Sequence, residues 1–134
     1  MVVYREISVT TRARCEWVDI TPDVRSIIAA SSVKTGTCLV ASLHTTGGVT
    51  INENADPDVE RDFFWKLDAL VPRDAGFRHS EGNSDSHVKT SLVGLSVQVC
   101  VSGGRPVLGT WQSIYFCEFD GGRERRVGVS VIGE

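Results

Sequence analysis

The chain has no apolar run of membrane-spanning length, so no membrane partner is expected. Its opening, MVVYREISVT, breaks the apolar residues with Arg5 and Glu6, which excludes a signal-peptide core there. It has no excess of positive charge: the net charge is −3, and no basic footprint for nucleic acid is present. The one basic cluster, Arg123, Arg125 and Arg126, follows a Gly-rich turn and is expected on a solvated hairpin. There is no C-x-x-C and no close pair among Cys15, Cys38, Cys100 and Cys117. Three of these lie in apolar, β-like runs, so they are expected as buried, reduced thiols of a cytoplasmic protein. No residue beside them would lower a thiol pKa. Repeats, linkers and low-complexity segments are also missing. At 134 residues the chain is expected to be one domain over 1–134, burying roughly two-thirds of its unfolded surface. It is far too short for a (β/α)₈ barrel of about 250 residues.

What is present is a patterned chain. Residues 3–9 and 12–19 are rich in β-branched side chains and predict two strands joined by a short turn. Thr21 is expected to cap a helix over 22–34, with Pro22 in its first position. TCLVASL, residues 37–43, predicts a buried strand, and VTIN another. Asp56 and Pro57 open a second helix over 57–70, whose Val59, Phe63, Leu67 and Leu70 share a face. After a polar loop over 72–83, Ser84 starts a short helix ended by Gly94, with Val88 and Leu92 expected toward the core. The remainder predicts an antiparallel meander: LSVQVCV, RPVLGTWQSIYFCEF and RRVGVSVIGE. Strands at both ends and helices between them predict an α+β domain, a mostly antiparallel sheet packed with two to three helices.

The polar residues with no evident part in a core concentrate between Arg78 and Gly94, which hold His79 and His87. His44 opens a second polar stretch just beyond a predicted strand. No zinc motif such as H-E-x-x-H is present. Three neutral imidazoles meeting in space can nevertheless hold a divalent ion and leave a position open, so His44, His79 and His87 are expected to converge. Three histidines favour Zn²⁺, whereas Mg²⁺, suited to a diphosphate, prefers oxygen ligands. Glu53, Glu81 and Asp85 are the nearby carboxylates, for ligation, support of an imidazole N–H, or general base work. Asp85 is equally favoured by the dipole of the helix it starts. Backbone N–H groups at that helix start suit an anion, and Lys89, Thr90 and Ser91 can add contacts to a phosphate. The same three residues also suit an exposed helix face. Glu53 belongs to the run Asn52, Glu53 and Asn54, where an inward residue would need a polar partner. Trp111 and Gln112 follow Gly109 and are candidates for substrate contact, Trp111 also for the core or a subunit interface.

HTTGGVTINENADPDV, RHSEGNSDSHVKTSLVG and GTWQSIYFCEF, in that order, resemble the YjbQ-like family over essentially the whole chain. The final VSVIGE is similar to the family ending, while Thr46-Gly47 and Val49 depart mildly from its commoner pattern. The resemblance implies a compact α+β subunit, assembly with itself as a homotrimer, and a metal-compatible pocket lined by His44, His79 and His87, with Asp85 beside them. It also implies an activity like that of secondary thiamine-phosphate synthases. These transferases join hydroxymethylpyrimidine diphosphate to a thiazole phosphate and release pyrophosphate. A metal-dependent enzyme acting on a small phosphorylated substrate is one expectation. A non-catalytic metal- or small-ligand-binding trimer and an assembly protein with structural histidines are the others.

Overall fold

The computed structural model describes residues 1–134. It contains β1 (Val2–Thr10), β2 (Glu16–Asp19), α1 (Thr21–Ser31), β3 (Thr35–Ser42), β4 (Gly47–Glu53) and α2 (Pro57–Leu70), then α3 (Ser84–Val93), β5 (Ser96–Ser102), β6 (Arg105–Pro106), β7 (Gln112–Glu118) and β8 (Glu124–Gly133). The strands form two antiparallel sheets, one ordered β1-β8-β3-β5-β6 and the other β2-β7-β4. The α+β expectation holds, but the simple meander does not. β8 lies between β1 and β3 and does not pair with β7. β1 and β2 likewise belong to different sheets. Alternation along a strand fixes which face is buried, not which neighbour it pairs with.

The core follows from that alternation. Val127, Val129 and Val131 of β8 are buried on one face and meet Ile7 and Val9 of β1, Cys38 and Val40 of β3, and Val99 and Val101 of β5. Val24 and Ile28 of α1 close this layer. A smaller aromatic cluster holds the second sheet to α2. Trp17 stacks on Tyr115 at 4.8 Å, and Phe63 tilts against Trp17 at 5.1 Å. α2 starts as expected, with Asp56 Oδ1 accepting from Asp58 N at 2.9 Å.

Local expectations fail where tertiary contacts intervene. Thr21 does not cap α1; Ile20 holds the cap position. The Thr21 side chain is buried instead, its hydroxyl accepting from Ile114 N at 2.8 Å and tying α1 to β7. The long strand expected over 105–119 is interrupted between β6 and β7, where Gly109 N donates to Gln112 Oε1 at 2.8 Å. Among the cysteines, Cys38 and Cys117 are buried, Cys15 is half-buried and Cys100 is exposed; all four are free.

The largest correction concerns α3. Val88 and Leu92 do not face the core but are 39% and 64% exposed. The buried face carries Asp85, Ser86, Lys89 and Thr90. Lys89 Nζ bonds Asp85 Oδ2 at 3.0 Å and also Asp68 of α2. Arg14 Nη2 donates to Asp85 Oδ1 at 3.2 Å, and Ser86 Oγ donates to Phe119 O at 2.6 Å. Buried charge is tolerated when it is paired and hydrogen-bonded. This network docks α3, so its apolar side remains outward.

Candidate functional site

The turn after β3 is built by Ser42. Its Oγ donates to Gly47 O at 2.7 Å and accepts from His44 N at 3.1 Å, which lifts His44 off the sheet edge. α3 presents His87 opposite, and the loop before α3 brings His79 beside it. The His79 and His87 rings stand edge to face with centroids 5.4 Å apart. All three histidines line one cavity of about 440 Å³. Glu81 also lines it, with Oε2 3.9 Å from His79 Nε2. A neighbouring cavity of about 500 Å³ is lined by Thr90, Ser91, Gly94 and Leu95, and shares Thr45 and His87 with the first.

The histidines share a cavity without gathering around one point: no set of three His, Cys, Asp or Glu groups stands within common reach of an ion. His44 shows why. Its Nε2 accepts from Arg126 N at 2.8 Å, so the neutral ring carries its proton on Nδ1. Burial, then the positive charges of Arg125 and Arg123, lower its pKa, with Glu118 opposing. The neutral form of His44 is therefore favoured. As arranged, neither of its nitrogens offers a free lone pair to a metal. The His79 and His87 rings lie side by side, whereas His44 would join them as a ligand only after releasing Arg126 N.

The remaining carboxylate and lysine candidates occupy different places. Asp85 and Lys89 line neither cavity and are buried in the α3 network. Burial would raise the Asp85 pKa, but hydrogen bonds and charge from Lys89 and Arg14 outweigh it and hold the carboxyl below its ordinary value. Burial opposes the charge on Lys89, and Asp68 and Asp85 more than restore it, raising its pKa. Thr90 and Ser91 reach the second cavity, where Thr90 Oγ1 is buried without a partner. Glu53, Trp111 and Gln112 line neither cavity. Instead Glu53 Oε2 accepts from Asn54 N at 3.0 Å and Ala55 N at 3.1 Å, which closes the turn into α2. Trp111 is 63% exposed. Burial raises the thiol pKa values of Cys15 and Cys117, and raises Cys38 to about 11, so these three are held as thiols.

Sequence reasoning missed the polar wall behind the histidines. Arg125, expected in solvent, is 2% exposed and lines the first cavity. It occupies the same β8 face as Val127, Val129 and Val131, so the alternation that identified those valines also points Arg125 inward. Its Nε donates to Glu118 Oε1 at 2.8 Å, and its Nη2 donates to Glu118 Oε2 and to Thr46 Oγ1, the latter at 2.9 Å. Glu118 is fully buried and also accepts from Thr11 Oγ1 at 2.6 Å and Asp120 N at 3.0 Å. A glutamate inside the apolar run IYFCEF was the legible signal. Asp120 accepts from Asn83 Nδ2 at 2.7 Å and Arg123 Nη2 at 3.0 Å, and both donors belong to residues of the cavity wall.

The chain has relatives among known proteins. A sequence model described as UPF0047 protein YjbQ-like matches residues 5–134. A UPF0047 protein of Methanocaldococcus jannaschii is 50% identical over 94% of this chain and 91% of its own length. The UPF0047 protein YugU of Bacillus subtilis is 44% identical over 96% of this chain and 98% of its own. Among solved structures, a YbjQ-like protein of unknown function from Sulfolobus solfataricus superposes with a TM-score of 0.95 at 31% identity, covering 100% of this chain and 99% of that one. An uncharacterised conserved protein of the YjbQ/UPF0047 family from Clostridium acetobutylicum gives a TM-score of 0.94 at 47% identity, over 96% and 99% of the two chains.

Proposed function

The chain belongs to the UPF0047 YjbQ-like family, and from that premise we propose that its histidine cavity is the working centre of a metal-dependent transferase for small phosphorylated molecules. The observation that carries the reading is the shared cavity of His44, His79 and His87, which come from a strand end, a loop and a helix. A second cavity joined to it through Thr45 and His87 supports a reaction between two partners. The specific transfer proposed is that of secondary thiamine-phosphate synthases, with a thiazole phosphate displacing pyrophosphate from hydroxymethylpyrimidine diphosphate. His79 and His87 would hold the divalent ion, Zn²⁺ by the nature of the donors, with Mg²⁺ entering alongside a diphosphate. Such an ion would supply Lewis-acid stabilisation of negative charge. Glu81, exposed and beside His79, would support the His79 ring as a partner for its N–H. The proposed setting is a cytoplasmic homotrimer. Exposed Trp65, Leu70, Leu92 and Trp111 support self-association, because large apolar side chains on a subunit surface favour an interface.

Elemental analysis of protein purified without a histidine tag tests the site. Metal should be retained by the wild type and lost from His87→Ala; equal content in both would remove the metal assignment. Formation of thiamine phosphate at steady state tests the reaction, and a rate at the blank level would remove that transfer. One observation favours a second reading, a non-catalytic metal- or ligand-binding trimer: Asp85 and Lys89 are engaged with each other, leaving Glu81 as the only carboxylate of the first cavity. Stabilisation by phosphates in a melting assay, without chemical change in any of them, is the result that reading expects.

A further inference from the structure

Arg125 has more donors than the fold uses. Its hydrogen bonds leave from Nε and Nη2 to Glu118 and Thr46, and none leaves from Nη1. Nη1 is not among the fully enclosed atoms that lack a partner, and the residue lines the first cavity while being otherwise buried. The free edge of the guanidinium therefore opens to what the cavity contains. Glu118 holds the other edge, and Thr11 and the Asp120 backbone fix Glu118 in turn. Arg123 adds positive charge at the rim, and the Nδ1–H of His44 is a further donor.

From these groups we infer that Arg125, oriented by Glu118, is the phosphate anchor of the histidine cavity. This rests on the cavity being a site for small phosphorylated molecules, and it moves the anchoring cation from Lys89 to Arg125. Lys89 is enclosed by Asp85 and Asp68, whereas a guanidinium held on one edge by a carboxylate presents its other N–H groups in fixed directions.

Calorimetric titration of the full chain, as purified, with glycerol 3-phosphate and glycerate tests the inference. Arg125→Met alone would strand Glu118 in the interior, so Glu118→Gln and Arg125→Met are combined to remove both charges together. Arg125→Lys is the second variant; it keeps the charge and loses the fork. Wild type should bind glycerol 3-phosphate more tightly than glycerate. Both variants should bind glycerol 3-phosphate about tenfold or more weakly, as expected for loss of a charge-assisted contact. Wild-type affinity in Arg125→Lys, or in the double variant, would overturn the assignment of Arg125 while leaving the cavity reading intact. Equal affinity for glycerate would overturn the preference for phosphate. No binding of glycerol 3-phosphate by wild type would overturn the cavity reading and the anchor with it.

Discussion

Asp85 shows how one residue can satisfy a functional pattern and serve the fold instead. It stands two positions before His87 in a polar stretch, the setting of a catalytic carboxylate, yet both its oxygens accept from cations, Arg14 and Lys89. Removing its charge leaves Lys89 and Arg14 without their buried partner. Asp85→Asn is expected to lower stability by about 3 kcal/mol in urea denaturation, within the range for breaking a buried pair. The pH dependence has a definite sign. The folded-state pKa of Asp85 is depressed, so its contribution is whole above the unfolded value of about 3.9 and is lost as pH falls through the folded value. The difference in melting temperature between wild type and Asp85→Asn should therefore be constant near neutrality and shrink below about pH 4. The three histidines were legible in sequence because no core needs them. Arg125 was hidden by its neighbours: beside a Gly-rich turn and two other arginines it resembles solvent-exposed charge, although its strand parity places it with the core valines.

At the scale of elements, boundaries were easier to read than partners. Pro57 and Gly94 bracket their helices as turn chemistry requires, and α2 occupies its expected span. Which face of α3 turns inward was not legible, because that depends on Asp68 and Arg14, distant in sequence. α3 is also held by close backbone approach. Val49 N donates to Gly94 O at 3.2 Å, and a Cβ on Gly48 would lie 2.4 Å from that same carbonyl. Gly48→Ala is thus expected to push the end of α3 away from β4 and cost about 1–3 kcal/mol, the usual penalty for overpacking. Because His87 and Thr90 ride on α3, loss of phosphate affinity in calorimetry should accompany the lower melting temperature. Unchanged melting together with unchanged binding would show that the contact relaxes without moving the helix.

For the whole molecule, α+β composition was readable from the order of periodic segments, while the division into two sheets was not. Each β-like segment announces a buried face, but the placement of β8 between β1 and β3 arises from long-range pairing. The outward apolar side of α3, with Leu92 at its centre, belongs to the same scale. Sedimentation equilibrium should give the mass of three chains, and Leu92→Glu should shift it toward the single chain if that side meets a second subunit. A wild-type mass of one chain would remove the homotrimer. The central claim remains that His44, His79 and His87 form one working centre. Its most direct measurement is an anomalous difference map from crystals soaked with Zn²⁺, recorded on both sides of the zinc absorption edge. The expected result is an edge-dependent peak between the His79 and His87 rings, with His44 turned from Arg126 N toward it. A cavity without that peak, or zinc confined to other surface groups, would contradict it.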